Sequence, residues 1–210
     1  MPNKASIESK ILDVAYKLFM QKGYRQTTMD DIAQMLGMSK KTLYKYYPGK
    51  LELLAASFEL TRTKLTAKVE AIVENRYISF PLKLKSTLIV MASVLGPINP
   101  ELFEDIREQA PDIWRGLEEY INESAYIRVK KLMEQGISEG LIKPSVNINL
   151  VVMLYASAVK SLMDPKFLAQ FPDDIQRGVK ISPAEMYDQA ITIIYSGILT
   201  DEARNEFANA

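Results

Sequence analysis

The chain has no cysteine and no histidine among its 210 residues, and a single tryptophan. Without cysteine there is no disulfide and no thiol nucleophile. Without either residue there is no Cys/His metal site and no imidazole for proton transfer. Carboxylates, lysine, serine and tyrosine remain, and the acidic runs "ELFEDIRE" and "LEEY" have the spacing of a solvated helix face. An enzyme, a metal site and a cofactor are therefore not expected. The missing cysteine also fits a reducing cytosol. No apolar signal region opens the chain, and the most apolar stretches, "LIVMASVLGPI" and "LVVMLYASAV", are too short to cross a bilayer. A soluble, cytoplasmic protein is expected. Strand patterning is missing as well: apolar residues recur at helical spacing almost throughout.

What is present divides the chain in two. The formal net charge is zero, but up to Leu60 nine basic residues face six acidic ones, so the remainder carries the opposite excess. Such asymmetry marks an interaction module. The stretch "MSKKTLYKYYPGK", Met38 to Lys50, holds four lysines and three tyrosines and no acid. A soluble helix ordinarily mixes signs, so a face of one sign interleaved with aromatics calls for a polyanionic partner.

Local signals place the helices. Ile7, Ile11, Leu12, Ala15, Leu18 and Phe19 form one stripe that ends at Gly23. Thr28, with Asp31 three residues on, forms a capping box for "MDDIAQML", which Gly37 closes. Ser39 caps "KKTLYKYY", and Pro48-Gly49 stops it. A long helix follows from Lys50 to Asn75. Pro81 opens "PLKLKSTLIVMASVL", Asn99-Pro100 caps "PELFEDIREQ", and a helix runs from Pro111 to Glu139 before Gly140. "NINLVVMLYASAVKSLM" breaks at Asp164-Pro165 and leads into a polar loop, "DPKFLAQFPDDIQRGVK". Ser182-Pro183-Ala184-Glu185 starts the last helix, which ends near Leu199, and "DEARNEFANA" reads as a frayed tail. The chain is thus all-α: three N-terminal helices joined by a long helix to a larger helical body.

Two short helices joined by a glycine turn make a helix-turn-helix. Ala33 is small where the helices cross, and Ile32, Leu36, Met38 and Leu43 are spaced to share a core. With that core inward, Lys40, Lys41, Thr42, Tyr44 and Lys45 occupy the positions that a recognition helix offers to base edges in the major groove.

"ILDVAYKLFMQKGY" and "TTMDDIAQMLGMSKKTLYKYYPGKLELL" together resemble the DNA-binding domain of the TetR family of bacterial transcriptional repressors. The matching residues are Ala15, Phe19, Gly23, Thr27-Thr28, Ile32-Ala33, Gly37, Ser39, Thr42-Leu43-Tyr44, Lys50 and Leu53-Leu54. One departure is Tyr46-Tyr47, where the family often has His-Phe, so Tyr47 needs a partner for its hydroxyl or a route to the surface. The resemblance implies roles. Thr28 and Ser39 cap helices and contact phosphate, while Lys40, Lys41 and Thr42 read bases. Tyr44 and Tyr46 touch the DNA backbone, and Lys50 adds its charge to the positive end of the fourth helix, a phosphate site. Lys45 completes the basic face.

The resemblance also implies a division at 49/50. Residues 1–49 form the DNA-binding domain, and residues 50–210 form a helical domain that binds a small effector and pairs two subunits. For pairing, "LYASAVKSL" offers Ala156, Ser157, Ala158 and Ser161 to a partner helix, and "MYDQAITIIYSGIL" adds Met186, Ala190, Ile193, Ile194 and Ile198. A homodimer would present two recognition helices to a two-fold operator. For sensing, Met91, Phe103, Trp114, Tyr120, Met153 and Tyr155 are the adaptable or aromatic residues of the central helices, with Arg107 as a polar anchor. By family analogy the effector is largely apolar. The competing reading is an architectural DNA binder or adaptor on the same fold, without small-molecule sensing.

Overall fold

A computed structural model describes residues 4–95, 99, 101–162, 164–178 and 182–209. Among these residues there are thirteen α-helices and one π-helical turn, and the only β pairing is a single bridge between Ile142 and Leu199. The chain divides into two compact units. The first groups Met1–Thr66 with Pro97–Trp114, and the second groups Ala67–Gly96 with Arg115–Ala210.

The first unit holds α1 (Lys4–Lys22), α2 (Met29–Leu36), α3 (Lys40–Tyr44), the start of α4 (Lys50–Glu74) and α6 (Leu102–Gln109). Ile11, Ala15, Leu18 and Phe19 of α1 lie buried with Ile32 of α2, Leu43 of α3 and Leu53 and Leu54 of α4. The stripe expected of the first helix is therefore its core face. Buried Thr27 donates its hydroxyl proton to the Gly23 carbonyl at 2.7 Å, which satisfies the end of α1. α6 packs on α1. Asn99 acts at its start, where its Oδ1 accepts from the Glu101 N–H at 2.9 Å. Its expected companion Pro100 lies outside the described residues.

In the second unit, α5 (Phe80–Leu95) packs against α8 (Lys130–Ser138), α12 (Pro183–Ile198) and α13 (Asp201–Asn209), and α12 also packs against α9 (Ile148–Leu162). Phe80, Leu84 and Leu88 form the buried face of α5. A Cβ on Gly136 of α8 would collide with the Phe80 ring and meet Ile142 Cδ1 at 2.7 Å, so close packing requires glycine there. Lys83 is 4% exposed. Its Nζ donates to the Val73 carbonyl at 2.7 Å and to Gln135 Oε1 at 3.0 Å, which caps the end of α4.

Four expectations are corrected. α3 stops at Tyr44 rather than Tyr47, because the residue before Pro48 is driven out of helical backbone. Lys45 and Tyr46 instead close tight turns onto the Thr42 and Leu43 carbonyls at 3.1 and 3.0 Å. The helix expected over Pro111 to Glu139 is α7 (Pro111–Ser124), a π-helical turn (Ala125–Val129) and α8. The polar loop after Asp164 contains two short helices, α10 (Pro165–Leu168) and α11 (Asp173–Gly178), and Phe167 meets Phe171 edge-on at 5.2 Å. The supposed frayed tail is α13. Ala203 and Phe207 are buried, and the Phe207 ring stands edge-on to Tyr195 at 5.9 Å. The expected capping box of α12 is present: Ser182 Oγ accepts from the Glu185 N–H at 3.3 Å, and Glu185 accepts in return from the Ser182 N–H at 2.8 Å.

Candidate nucleic-acid interface

Capping chemistry aims α2 and α3. Thr28 Oγ1 accepts from the Asp31 N–H at 3.1 Å, and Asp31 Oδ2 accepts from the Thr28 N–H at 2.9 Å and hydroxyl at 2.6 Å. Lys22 Nζ reaches the other carboxylate oxygen at 3.2 Å. The bonds from Thr28, aided by Lys22, hold the Asp31 carboxyl at a pKa of about 2. The one hydroxyl proton of Thr28 is therefore engaged within the cap. Gly37 at φ 65° ends α2 in left-handed backbone, and the Met38 N–H returns to the Ala33 carbonyl at 3.0 Å. Ser39 Oγ then accepts from the Thr42 N–H at 3.1 Å and shares a 2.8 Å bond with the Thr42 hydroxyl. Two hydroxyls sharing one bond leave one proton for an outside acceptor.

The basic residues are not equivalent. Lys41 and Lys45 are exposed, with no ion pair among the described residues, and Tyr44 beside them is exposed too. Lys40 is different: its Nζ donates to Asp30 Oδ2 at 2.8 Å. Lys50 turns inward. It donates to the Tyr24 carbonyl at 2.8 Å and lies 4.2 Å above the Tyr24 ring, and burial pulls its pKa below the usual lysine value. Its position at the start of α4 is as expected, but its ammonium ties that helix to the turn after α1. Tyr46 and Tyr47 are both half-buried. Arg25, which the sequence reading passed over, is engaged by α6: its N–H donates to Asp105 at 2.8 Å and its guanidinium to Glu108 at 2.9 Å.

A donor-rich face on a capped helix, backed by its own small core, is the geometry of a groove-reading module. The family model for bacterial regulatory proteins of the tetR family matches residues 11–57. The chain carries the DNA-binding domain of the TetR family. It is a transcriptional regulator of the TetR type, a family of DNA-binding regulators rather than enzymes. This TetR-type regulator is 26% identical to the HTH-type transcriptional regulator YvaF of Bacillus subtilis (strain 168) over 196 residues, which cover 93% of it and 97% of YvaF. Over 53 residues, 25% of the chain and 29% of the relative, it is 42% identical to IcaR of Staphylococcus epidermidis, a negative transcriptional regulator of the biofilm operon icaADBC. The solved structure of FadR from Bacillus subtilis in complex with stearoyl-CoA shares its fold. Its TM-score is 0.61 at 18% identity, covering 90% of this chain and 98% of FadR.

Beyond the module, the residues expected in this TetR-type regulator's effector pocket fall into two groups. Phe103, Arg107 and Trp114 come together in the first unit. The Phe103 and Trp114 rings meet edge-on at 5.9 Å, and the Arg107 guanidinium lies 4.7 Å from the Trp114 ring. Met91 and Tyr120 are half-buried in the second unit. Met153 is also in the second unit but 66% exposed, on the outer side of α9, whose inner face is Val151, Val152, Tyr155 and Val159. Tyr155 is buried, with its hydroxyl 2.9 Å from that of Tyr187. The residues expected at the dimer interface are likewise offset. Ala156, Ala158, Ser161 and Ile194 are half-buried, and Ile198 is buried within the chain, as are Tyr187, Ile191 and Tyr195. The apolar side chains left outside are Leu150, Met153 and Leu154 on α9 and Ile193, 73% exposed, on α12. Among the described residues no helix is long and apolar enough to cross a membrane.

Proposed function

We propose that the protein is a homodimeric, sequence-specific repressor that leaves its operator when a small, largely apolar effector binds its C-terminal helices. The observation that carries the DNA-binding part is the face of α3. Lys41 and Lys45 present donors without an ion pair among the described residues, beside exposed Tyr44, while caps on both helices hold that face in place. Ammonium groups donate and never accept, which suits phosphate oxygens and guanine edges. Lys41 and Thr42 read bases, Ser39, Tyr44, Lys45 and Tyr46 hold the backbone, and Thr28 and Lys50 build the scaffold. Repression is supported by the likeness of the module to IcaR, a negative regulator. An apolar effector is supported by the stearoyl-CoA bound to the similarly folded FadR. We assign Met91 and Tyr120 to the effector site, keep the Phe103–Arg107–Trp114 cluster as a separate alternative site within the first unit, and move Met153 to the pairing surface.

Pairing through α9 and α12 is supported by exposed apolar side chains on both helices, Leu150, Met153 and Leu154 along one face of α9 and Ile193 on α12, because exposed apolar surface of this kind marks an association surface. An effector acts only through its differential affinity for the free and DNA-bound forms. The test is a footprint on DNA flanking the protein's own gene, followed by titration with a library of hydrophobic compounds. Operator release and the emission of Trp114, the only tryptophan, are read together. A footprint that no compound releases would leave a DNA binder without sensing. Release without any change in Trp114 emission would remove the aromatic stack from the effector site.

A further inference from the structure

Two neighbouring aspartates open α2, and only one of them is used by the helix. Asp31 is committed to the capping box and to Lys22. Asp30 takes no part in the cap. Its carboxylate instead accepts from Nζ of Lys40, the first residue of α3, at 2.8 Å. Both side chains are largely open to water, 50% for Lys40 and 66% for Asp30, so burial does not force them together. The consequence is chemical. One of the lysines that begin the reading helix already holds an anion, and that anion lies at the start of the helix-turn-helix itself.

We propose that Asp30 is a specificity-setting positioning residue: it withholds Lys40 from phosphates and leaves it free to serve an acceptor on a base edge. This rests on the reading that α3 enters the major groove. A phosphate held by Lys40 brings a full negative charge up against the Asp30 carboxylate, where like charges repel. A base acceptor such as guanine O6 or N7 carries no net charge. An ammonium has three protons, so Lys40 can keep one on Asp30 and give another to the base. Asp30 therefore weakens binding held by phosphate contacts alone more than binding that reads a base. Discrimination between operator and bulk DNA is the ratio that matters in a genome.

The test uses the full-length protein and two labelled duplexes, one enriched from a random pool by the wild-type protein and one of scrambled sequence. Asp30→Asn keeps the shape and removes the charge, and Asp30→Ser is the second variant should the first fold poorly by circular dichroism. The expected result is at least threefold tighter binding to the scrambled duplex. Its log–log salt slope should steepen by about one unit, as one further phosphate contact requires. Affinity for the enriched duplex should be unchanged or lower. In a Lys40→Gln background the same change at Asp30 should have little effect on scrambled DNA, because the residue acts through Lys40. Equal tightening on both duplexes, or an undiminished effect in the Lys40→Gln background, would overturn the proposal by reducing Asp30 to a general charge. A wild-type protein that enriches no sequence would instead overturn the groove-reading premise, which keeps the two failures apart.

Discussion

Replacing Phe207 by alanine should destabilise the protein by about 3 kcal/mol, although the residue lies three positions from the end of the chain. The ring is 2% exposed and stands edge-on to Tyr195, with Lys85 Nζ 5.5 Å from its centroid. Burying a phenylalanine contributes roughly 1.5–3 kcal/mol, and an edge-to-face pair adds about 0.5–1.5 kcal/mol. Core Phe→Ala changes cost about 3–5 kcal/mol once the cavity is included. A short helix such as α13 can detach locally instead of leaving a hole, which caps the loss and favours the lower end of that range. For a chain of this size about 1 kcal/mol shifts Tm by about 2–4 °C, so Tm should fall by roughly 6–12 °C. Denaturant unfolding measures the energy, and amide exchange over residues 201–209 shows whether α13 has come away. A loss under about 1 kcal/mol, with α13 amides already unprotected in the wild type, would refute the claim that this helix belongs to the core.

Further outcomes follow from the same contacts. Lys41→Ala should relax preference at one base position, by about 1–3 kcal/mol if that base is guanine, in a pool-selection experiment; an unchanged consensus would remove its base-reading role. Lys50→Met should lower thermal stability while leaving the salt slope of DNA binding within error, because its ammonium holds the Tyr24 carbonyl; a slope lower by about one unit would return it to the phosphate contacts. Ile193→Glu should leave the protomer folded yet yield monomers by light scattering, since the side chain is exposed in one protomer; an intact dimer would exclude that face. The Asp31 carboxyl has a pKa of about 2, depressed from its ordinary value. Its stabilisation of α2 is therefore present above about pH 4 and is lost as pH falls towards 2. Asp31→Asn should remove that part of the pH dependence, and an Asp31 titration by NMR near pH 4 would contradict the bond set.

What could be read in advance was what depends on near neighbours. The boxes at Thr28/Asp31 and Ser182/Glu185 link residues three apart, so residue type and offset suffice. The core of the helix-turn-helix was legible for the same reason, through helical spacing. What escaped depends on distant partners. Phe207 is buried against Tyr195 and the α5 helix, which no local pattern in a polar tail reveals. Lys50 and the Tyr24 carbonyl are 26 positions apart, and Lys40 and Asp30 are ten apart across a turn. Composition therefore showed a basic face but not which ammonium groups were already engaged. On α12 the apolar stripe is broad enough to face both ways, so it suggested pairing without its register. Ile198 turned inward and Ile193 outward.

Lys83 carries a consequence for chemistry done on the intact protein. Its amine is enclosed by α5, the Val73 carbonyl and Gln135, whereas most lysines here keep their nitrogen in water. Acylating reagents need that nitrogen exposed, so they should mark the other lysines first and reach Lys83 only when the α4–α5–α8 packing opens. The mass increment at this one residue then becomes a clock for opening of the second unit, kept by the native chain without any dye or mutation.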